Sequence, residues 1–136
     1  MYSRENKMSS YTQIFRSGIV EASCFGLFGF SNEKKLYGKS IEDNFENTVK
    51  SYIESLLKFK INFPFFISIS LLNTKGYILV FDNNYRISNG DFNKIYEDDL
   101  LLPSIFIENE NELDSKLKSC FDILWNANGF LKSPGN

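Results

Sequence analysis

The strongest constraint on the fold is a change in the spacing of apolar residues at Pro64. Before it, apolar side chains recur at helical spacing: Ile41, Phe45, Val49, Tyr52, Ile53, Leu56 and Leu57. After it, Phe65, Ile67, Ile69 and Leu71 alternate with Phe66, Ser68, Ser70 and Leu72. Since proline cannot continue a helix, the pattern predicts a helix from Ser40 that ends before Pro64. A strand buried on one face and partly covered on the other is predicted to follow.

A second helix is predicted over 110–128. Asn109 can cap its start together with Glu112, and Gly129 is well placed to end it. Its apolar stripe comprises Leu113, Leu117, Cys120, Phe121, Leu124 and Trp125. For the first helix, Ser40 and Asp43 resemble a capping box, and acidic residues are expected in its first turn.

Residues 11–24 predict a β-hairpin in which Ser17 and Gly18 form a two-residue turn. This register sets Arg16 opposite Ile19, Phe15 opposite Val20, Gln13 opposite Ala22 and Tyr11 opposite Cys24. Arg16 and Glu21 then form a diagonal pair on the face opposite a mostly apolar one. We interpret them as an exposed ion pair, with a partner-binding surface as the alternative.

The other predicted elements are a connecting loop over 25–39 with a short strand near Leu27 and Phe28, a strand over 77–81, a long polar loop over 82–99 and a strand over 104–108. A turn at 73–76 is expected to bring the 77–81 strand back beside the preceding one. The order ββαβββα predicts an α+β fold. We expect a two-layer sandwich, in which an antiparallel sheet of four to five strands carries two helices on one face.

The domain organisation follows from the same pattern. We expect a flexible N-terminal arm at 1–10, a single α+β domain at 11–133 and a tail at 134–136. A chain of 136 residues is long enough to bury a substantial core in one domain.

The chain contains no histidine, which removes the side chain that most often shuttles protons near neutral pH. A Ser-His-Asp triad, a Cys-His pair and a His-rich zinc site are therefore excluded. Cys24 and Cys120 lie far apart, and the sequence has no phosphate loop and no dinucleotide fingerprint. We expect no enzyme, no cofactor and no metal site, although metal catalysis by aspartates alone is left open.

The net charge is −2 and the lysine groups are short, so we expect no strong direct binding to nucleic acid. Two cysteines make no disulfide framework and indicate reduced thiols in the cytoplasm. Residues 1–10 lack the apolar core of a signal peptide, and the most apolar run, 63–72, is shorter than a membrane span. No membrane association is therefore expected.

Acidic residues near the end of the long loop form one candidate site. Glu97, Asp98 and Asp99 could bind Mg²⁺ or Ca²⁺ together with Asp82 or Asp91. Solvated loop carboxylates are the favoured interpretation. Asp98 and Asp99 could equally set a turn that enters the next strand.

Trp125 and Asn126, at the end of the last helix, are candidates for a partner surface because tryptophan is enriched in binding hot spots. The favoured alternative is that Trp125 completes the buried stripe and Asn126 bonds the backbone of a neighbouring loop. Ser68 and Ser70 could line a pocket between the sheet and a loop, or lie as small residues under a covering segment.

Several separate blocks of sequence resemble one family in their order and spacing. They are residues 13–22, residues 70–72 with 75–77, residues 98–103 with 107–108, and residues 121–122 with 125–127 and Gly129. Over residues 11–133 the chain resembles the C-terminal domain of bacterial Schlafen-AlbA-type proteins, which are described as ATP- or DNA-binding. In such proteins the nucleic-acid role is assigned to the AlbA-type domain, which this chain lacks. The resemblance transfers no catalytic residue and implies an AlbA-type domain as a partner.

Two classes of function therefore remain. The first is a non-catalytic protein-interaction or assembly module of a bacterial nucleic-acid-handling system, with a protein partner or a second copy of the chain. The alternative is a small-ligand sensor with a pocket between the sheet and the 82–99 loop. Fold class alone does not separate them.

Overall fold

A computed structural model describes residues 10–24, 34–80, 94–130 and 133. Its strands are β1 (Ser10–Ile14), β2 (Val20–Cys24), β3 (Lys35–Tyr37), β4 (Phe65–Ile67), β5 (Ser70–Leu71), β6 (Ile78–Val80), β7 (Leu100–Leu101) and β8 (Ile105–Ile107). Its helices are α1 (Gly38–Lys58) and α2 (Leu113–Asn126), with a 3₁₀ turn at Glu110–Glu112 before α2. This mixture confirms the α+β class. The predictions for residues 1–9, 27–28, 82–93 and 134–136 lie outside the described residues.

Most of the strands belong to one irregular antiparallel ribbon, formed by residues 65–80 and 94–107. In it, β4 pairs with β8 and β5 pairs with β7. Between these ladders the Leu102 N–H donates to the Ile69 carbonyl at 3.0 Å, so the two stretches stay joined. The predicted strand over 65–72 is thus present as two short ladders.

The two ladders are separated because the β7–β8 side carries one extra residue. Leu102 and Ile105 are both buried, whereas Pro103 and Ser104 between them are exposed. Strict alternation along a strand would place successive buried residues two positions apart. The extra residue acts as a β-bulge and shifts the pairing by one position between the ladders.

The expected return of residues 77–81 beside the 65–72 strand is wrong. β6 instead pairs in parallel with β3, a strand within the segment that the sequence indicated as a loop. The reason lies at Thr74, whose N–H donates to the Asp98 carbonyl at 2.7 Å and whose hydroxyl donates to the Glu97 carbonyl at 3.0 Å. These bonds keep the chain running along the 94–107 stretch, so strand pairing is mixed rather than antiparallel throughout.

The hairpin β1–β2 forms, but its register differs by one residue from the predicted one. Gln13 lies opposite Glu21. The Phe15 N–H donates to the Ile19 carbonyl at 2.8 Å, which closes a loop of three residues rather than two. Gly18 ends this loop with a φ of 85°, the conformation that a three-residue hairpin loop requires at that position.

α1 begins at Gly38, two residues before the predicted cap at Ser40, and its N-cap residue makes no side-chain capping bond. The first residue of the helix is a glycine that packs against Trp125, because a Cβ on Gly38 would lie 2.3 Å from Trp125 Cζ2. Glycine lets the first turn of the helix lie directly against the indole. No acidic residue stands in this turn, contrary to expectation, and Asp43 pairs instead with Lys39 at 2.6 Å.

The second helix agrees closely with the sequence pattern. The Asn109 side chain caps the 3₁₀ turn, and Glu112 accepts a hydrogen bond from the Glu108 N–H at 3.0 Å. All six residues of the predicted apolar stripe are buried in α2. Gly129 follows the helix with a φ of 81°, as a helix-ending glycine does.

Both helices contribute to a single core. Its most deeply buried members are Leu36, Ile41, Leu79, Ile95, Ile107, Leu117, Leu124 and Trp125. At the surface, Lys50 of α1 pairs with Asp114 of α2 at 3.0 Å. The two-layer sandwich with both helices on one face stays a prediction.

Candidate binding site

A cavity of about 530 Å³ lies between the β1–β2 hairpin, α1 and the β4–β5 stretch. Its volume falls in the range of roughly 300–1,000 Å³ that is usual for binding sites. Ser68 and Ser70 line it, but the facing wall is α1 and the hairpin. The predicted pocket was placed against the 82–99 loop, and none of the described part of that loop lines this cavity.

The β4–β5 stretch borders the cavity with an edge rather than a face. Side chains alternate along a strand, so a cavity over a face is lined by every second residue. Here all six consecutive residues of 65–70 line the cavity, while β8 and β7 occupy the opposite edge. Among the described strands, none pairs with the cavity-side edge. That edge therefore offers backbone N–H and C=O groups to the cavity.

The hairpin closes the cavity with one of its faces. Val20 and Ala22, two positions apart, line the cavity, whereas Glu21 between them does not. The Thr12 and Tyr52 hydroxyl groups are hydrogen-bonded at 2.7 Å, which fixes β1 against α1. The hairpin is thus held by side chains, without backbone pairing to β4.

Among the described residues, no charged side chain lines the cavity. Aliphatic and aromatic groups from α1, the hairpin and the β4–β5 stretch dominate. The side-chain polar groups are those of Thr48, Tyr52, Asn62 and three serines, Ser17, Ser68 and Ser70. Burying an unpaired charge in such surroundings is costly. The cavity therefore suits an uncharged occupant that also has hydrogen-bonding groups to offer.

A second surface, the outer patch, consists of Phe66, Leu72, Leu101 and Phe106. Phe66 and Phe106 face each other across the β4–β8 ladder with ring centroids 4.8 Å apart. Phe66 is 77% exposed, Leu101 69% and Leu72 56%. A hydrogen-bonded pair, Ser68 and Ser104, lies between the aromatic and aliphatic parts. Clusters of exposed apolar side chains of this kind mark interaction surfaces.

Trp125 does not lie on the surface. It is 1% exposed, and its ring packs edge-on against Phe130 at a centroid distance of 5.2 Å. Its indole N–H donates to a Glu42 carboxylate oxygen at 2.6 Å. The core interpretation of Trp125 is confirmed, and the partner-surface alternative is wrong because the indole fills the space beside α1.

Asn126 is exposed at the end of α2. Nearby, the Asn128 Oδ1 accepts a hydrogen bond from the Leu79 N–H at 3.0 Å. Asn128 is buried, so this bond fixes the end of α2 to strand β6. The backbone contact expected of Asn126 stays a prediction.

Asp98 and Asp99 act as turn residues. The Asp99 carboxylate accepts from the Asn73 N–H at 2.9 Å, and the Asp98 carbonyl holds the next N–H along the chain. Both side chains are exposed. The chain bends at these two residues directly before β7, in agreement with the turn-setting alternative, and a partner surface at the pair stays a prediction.

The described residues bring together no candidate metal site. In the described ranges, no group of three or more Cys, Asp or Glu side chains is placed to hold a metal ion. Glu97 is exposed beside the turn, and its proposed companions Asp82 and Asp91 lie outside the described residues.

Arg16 and Glu21 are both exposed, and the two do not form the expected ion pair. The reason is the hairpin register, because a shift of one residue changes which side chains share a face. Glu21 lies on the face of Tyr11 and accepts a hydrogen bond from its hydroxyl, which raises the pKa of the Tyr11 phenol. Arg16 lies in the three-residue loop.

The sequence-predicted residues therefore do not converge on one site, and sequence reasoning missed both the cavity and the outer patch. One signal was present: Phe66 and Leu72 stand on the less buried face of the 65–72 strand, where charged residues would ordinarily be found. That signal locates a surface but not its partner.

No family model, no curated protein and no solved structure matches this chain. The resemblance to Schlafen-AlbA-type proteins therefore stays a prediction from the sequence blocks. Within the described residues, no helix combines the length and apolar character that a bilayer crossing requires.

Proposed function

We propose that this domain is a non-catalytic protein-interaction module of a bacterial nucleic-acid-handling system of the Schlafen-AlbA type, acting in the cytoplasm. The observation that supports it best is the outer patch. Two exposed aromatic rings and two exposed leucines lie along the β4–β8 and β5–β7 ladders, with a pair of serines between them. Covering these groups removes apolar surface from water, which is the main favourable term in protein association.

The charge of the chain fits a protein partner better than a nucleic acid. Phosphate contacts need several Lys or Arg residues on one surface, and the outer patch consists of apolar residues with serines between them. We infer that an AlbA-type domain carries the nucleic-acid contacts and that this domain binds the protein. Salt-sensitive binding of the isolated chain to a random duplex at submicromolar concentration would contradict this division.

Affinity capture from the native host tests the proposal with two matched variants. Leu101→Ser/Phe106→Ser removes apolar groups from the outer patch without changing a residue that lines the cavity. Ile123→Ser makes a similar change on the exposed side of α2. We expect the parent and Ile123→Ser to retain an AlbA-type protein and the double variant to lose it, with all three unfolding at similar temperatures. Equal capture by the double variant would refute the outer patch as the contact surface.

A further inference from the structure

We propose that the cavity-side edge of residues 65–70 binds an extended, uncharged segment of a partner protein by β-strand addition. The inference rests on the proposed function in one respect, that the partner is a protein. It assigns a second contact, which shares only Phe66 with the outer patch, and specifies the conformation of the segment that enters it.

The first step is the hydrogen-bonding character of the edge. Residues 65–70 are paired on one side with β7 and β8, and no described strand pairs with the other side. Along a strand, successive N–H and C=O groups point alternately to the two edges. An unpaired edge is therefore a row of donors and acceptors, which another extended backbone complements.

The second step is the shape of the space beside that edge. Six residues in extended conformation span about 20 Å, at about 3.3 Å per residue. Along this length α1 provides one wall, through Val49 and Tyr52, and the hairpin provides another, through Val20 and Ala22. The space thus follows all six residues of the edge and is bordered by mostly apolar side chains, as a groove for a single strand would be.

The third step distinguishes an extended peptide from a compact apolar molecule. A compact molecule could fill the volume, but it would cover the N–H and C=O groups of the edge without bonding them. Burying such groups unpaired costs more free energy than leaving them in water. The backbone of an extended peptide can hydrogen-bond the N–H and C=O groups of the edge, while its side chains pack against the apolar walls. Because the lining residues that the structure describes carry no charge, the segment should be uncharged.

The intact chain and a synthetic peptide test the proposal. The probe is an acetylated and amidated hexapeptide, Val-Thr-Val-Ser-Val-Thr, and its control has the same side chains with every backbone amide N-methylated. We expect saturable binding of the probe, slower amide hydrogen exchange within residues 65–70 and binding of the control weaker by about tenfold or more, since it lacks N–H donors. No binding of the probe, or equal binding of the control, would overturn the proposal.

Two hairpin variants locate the peptide. Ala22→Leu places a larger side chain into the cavity and should weaken probe binding by about tenfold or more. Gln13→Leu adds a similar side chain on the opposite face of the hairpin, away from the cavity, and should leave binding unchanged. Equal effects of the two variants would overturn the assignment. So would sedimentation as a dimer that Ala22→Leu dissociates, because a second copy would then occupy the edge.

The two proposals fail separately. Loss of probe binding in a chain whose capture still depends on Leu101 and Phe106 would refute strand addition and leave the interaction module standing. Probe binding in a chain that captures no AlbA-type protein would refute the proposed system and leave the edge site standing.

Discussion

Trp125 of α2 donates its indole N–H to the Glu42 carboxylate of α1 at 2.6 Å, and both side chains are buried. Gly38 lies beneath the same indole, and the ring of Phe130 meets it edge-on. The contact therefore fixes the start of α1 against the end of α2. Two of the following predictions test it directly.

Replacing Trp125 by alanine should strongly destabilise the domain. Truncating a buried tryptophan costs about 3–5 kcal/mol, against a total free energy of unfolding of about 5–15 kcal/mol for a domain of this size. Urea denaturation measures the loss, with Ile123→Ala on the exposed side of α2 as the control. A variant that unfolds like the parent would contradict the assignment of Trp125 to the core.

Gly38→Ala should destabilise the domain even though alanine is the better helix former by about 1 kcal/mol. The added Cβ would lie 2.3 Å from Trp125 Cζ2, and overpacking of this kind costs about 1–3 kcal/mol. Ser40→Ala, an exposed position in the same turn, should change the free energy of unfolding by less than about 0.5 kcal/mol. Thermal melts compare the stability of both variants with that of the parent. A Gly38→Ala protein more stable than the parent would show that the indole moves freely.

Asn128→Ala should cost about 1–3 kcal/mol of unfolding free energy, because it leaves the buried Leu79 N–H without its acceptor. Asn126→Ala, at the exposed end of α2, should cost less. Chemical denaturation of the two single variants provides the comparison. A larger effect at Asn126 would contradict this ranking of the two residues.

Cys120 should resist alkylation in the folded protein while Cys24 reacts. Burial raises the pKa of the Cys120 thiol to about 11, so at pH 8 about one molecule in a thousand carries the reactive thiolate there. Cys24 is exposed. Iodoacetamide labelling followed by mass spectrometry should show one modified cysteine in the native chain and two in urea. Early labelling of Cys120 would mean that the α2 core opens readily.

The same thiol adds a pH dependence of known sign. Its pKa is higher in the folded chain than the ordinary value of 9.0, so between about pH 9 and pH 11 the unfolded chain loses the proton first. The contribution of Cys120 to stability is therefore intact below pH 9 and decreases as the pH rises towards 11. If the free energy of unfolding decreases less with pH in Cys120→Ala than in the parent, the Cys120 thiol is the origin of this pH dependence.

The helical parts of the fold were predictable from sequence because their signals are local. The stripe from Leu113 to Trp125 repeats every three to four residues, and each member is buried in the structure. The parallel pairing of β3 with β6 was not predictable, because it joins residues more than 40 positions apart and depends on how Thr74 is hydrogen-bonded. The hairpin register likewise depended on one loop residue, which no apolar pattern specifies.

The candidate site was less predictable than the fold because three separate elements form it. Val20, Tyr52 and Ile67 belong to a hairpin, a helix and a strand, and nothing in their local sequence brings them to one cavity. Trp125 was a candidate for a partner surface because of its residue type, yet its large apolar side chain lies in the core. Backbone edges, which carry the peptide proposal, have no side-chain signature at all.

The Glu42–Trp125 hydrogen bond joins residues 83 positions apart in sequence, so it can form only late in synthesis on the ribosome. When Glu42 and Gly38 leave the exit tunnel, the helix that will cover them has not yet been translated. Domains fold as units during synthesis, and contacts so distant in sequence form late. The nascent chain therefore exposes the uncovered side of α1 to chaperones until α2 emerges. On a ribosome stalled within α2, the contact between α1 and Trp125 cannot form.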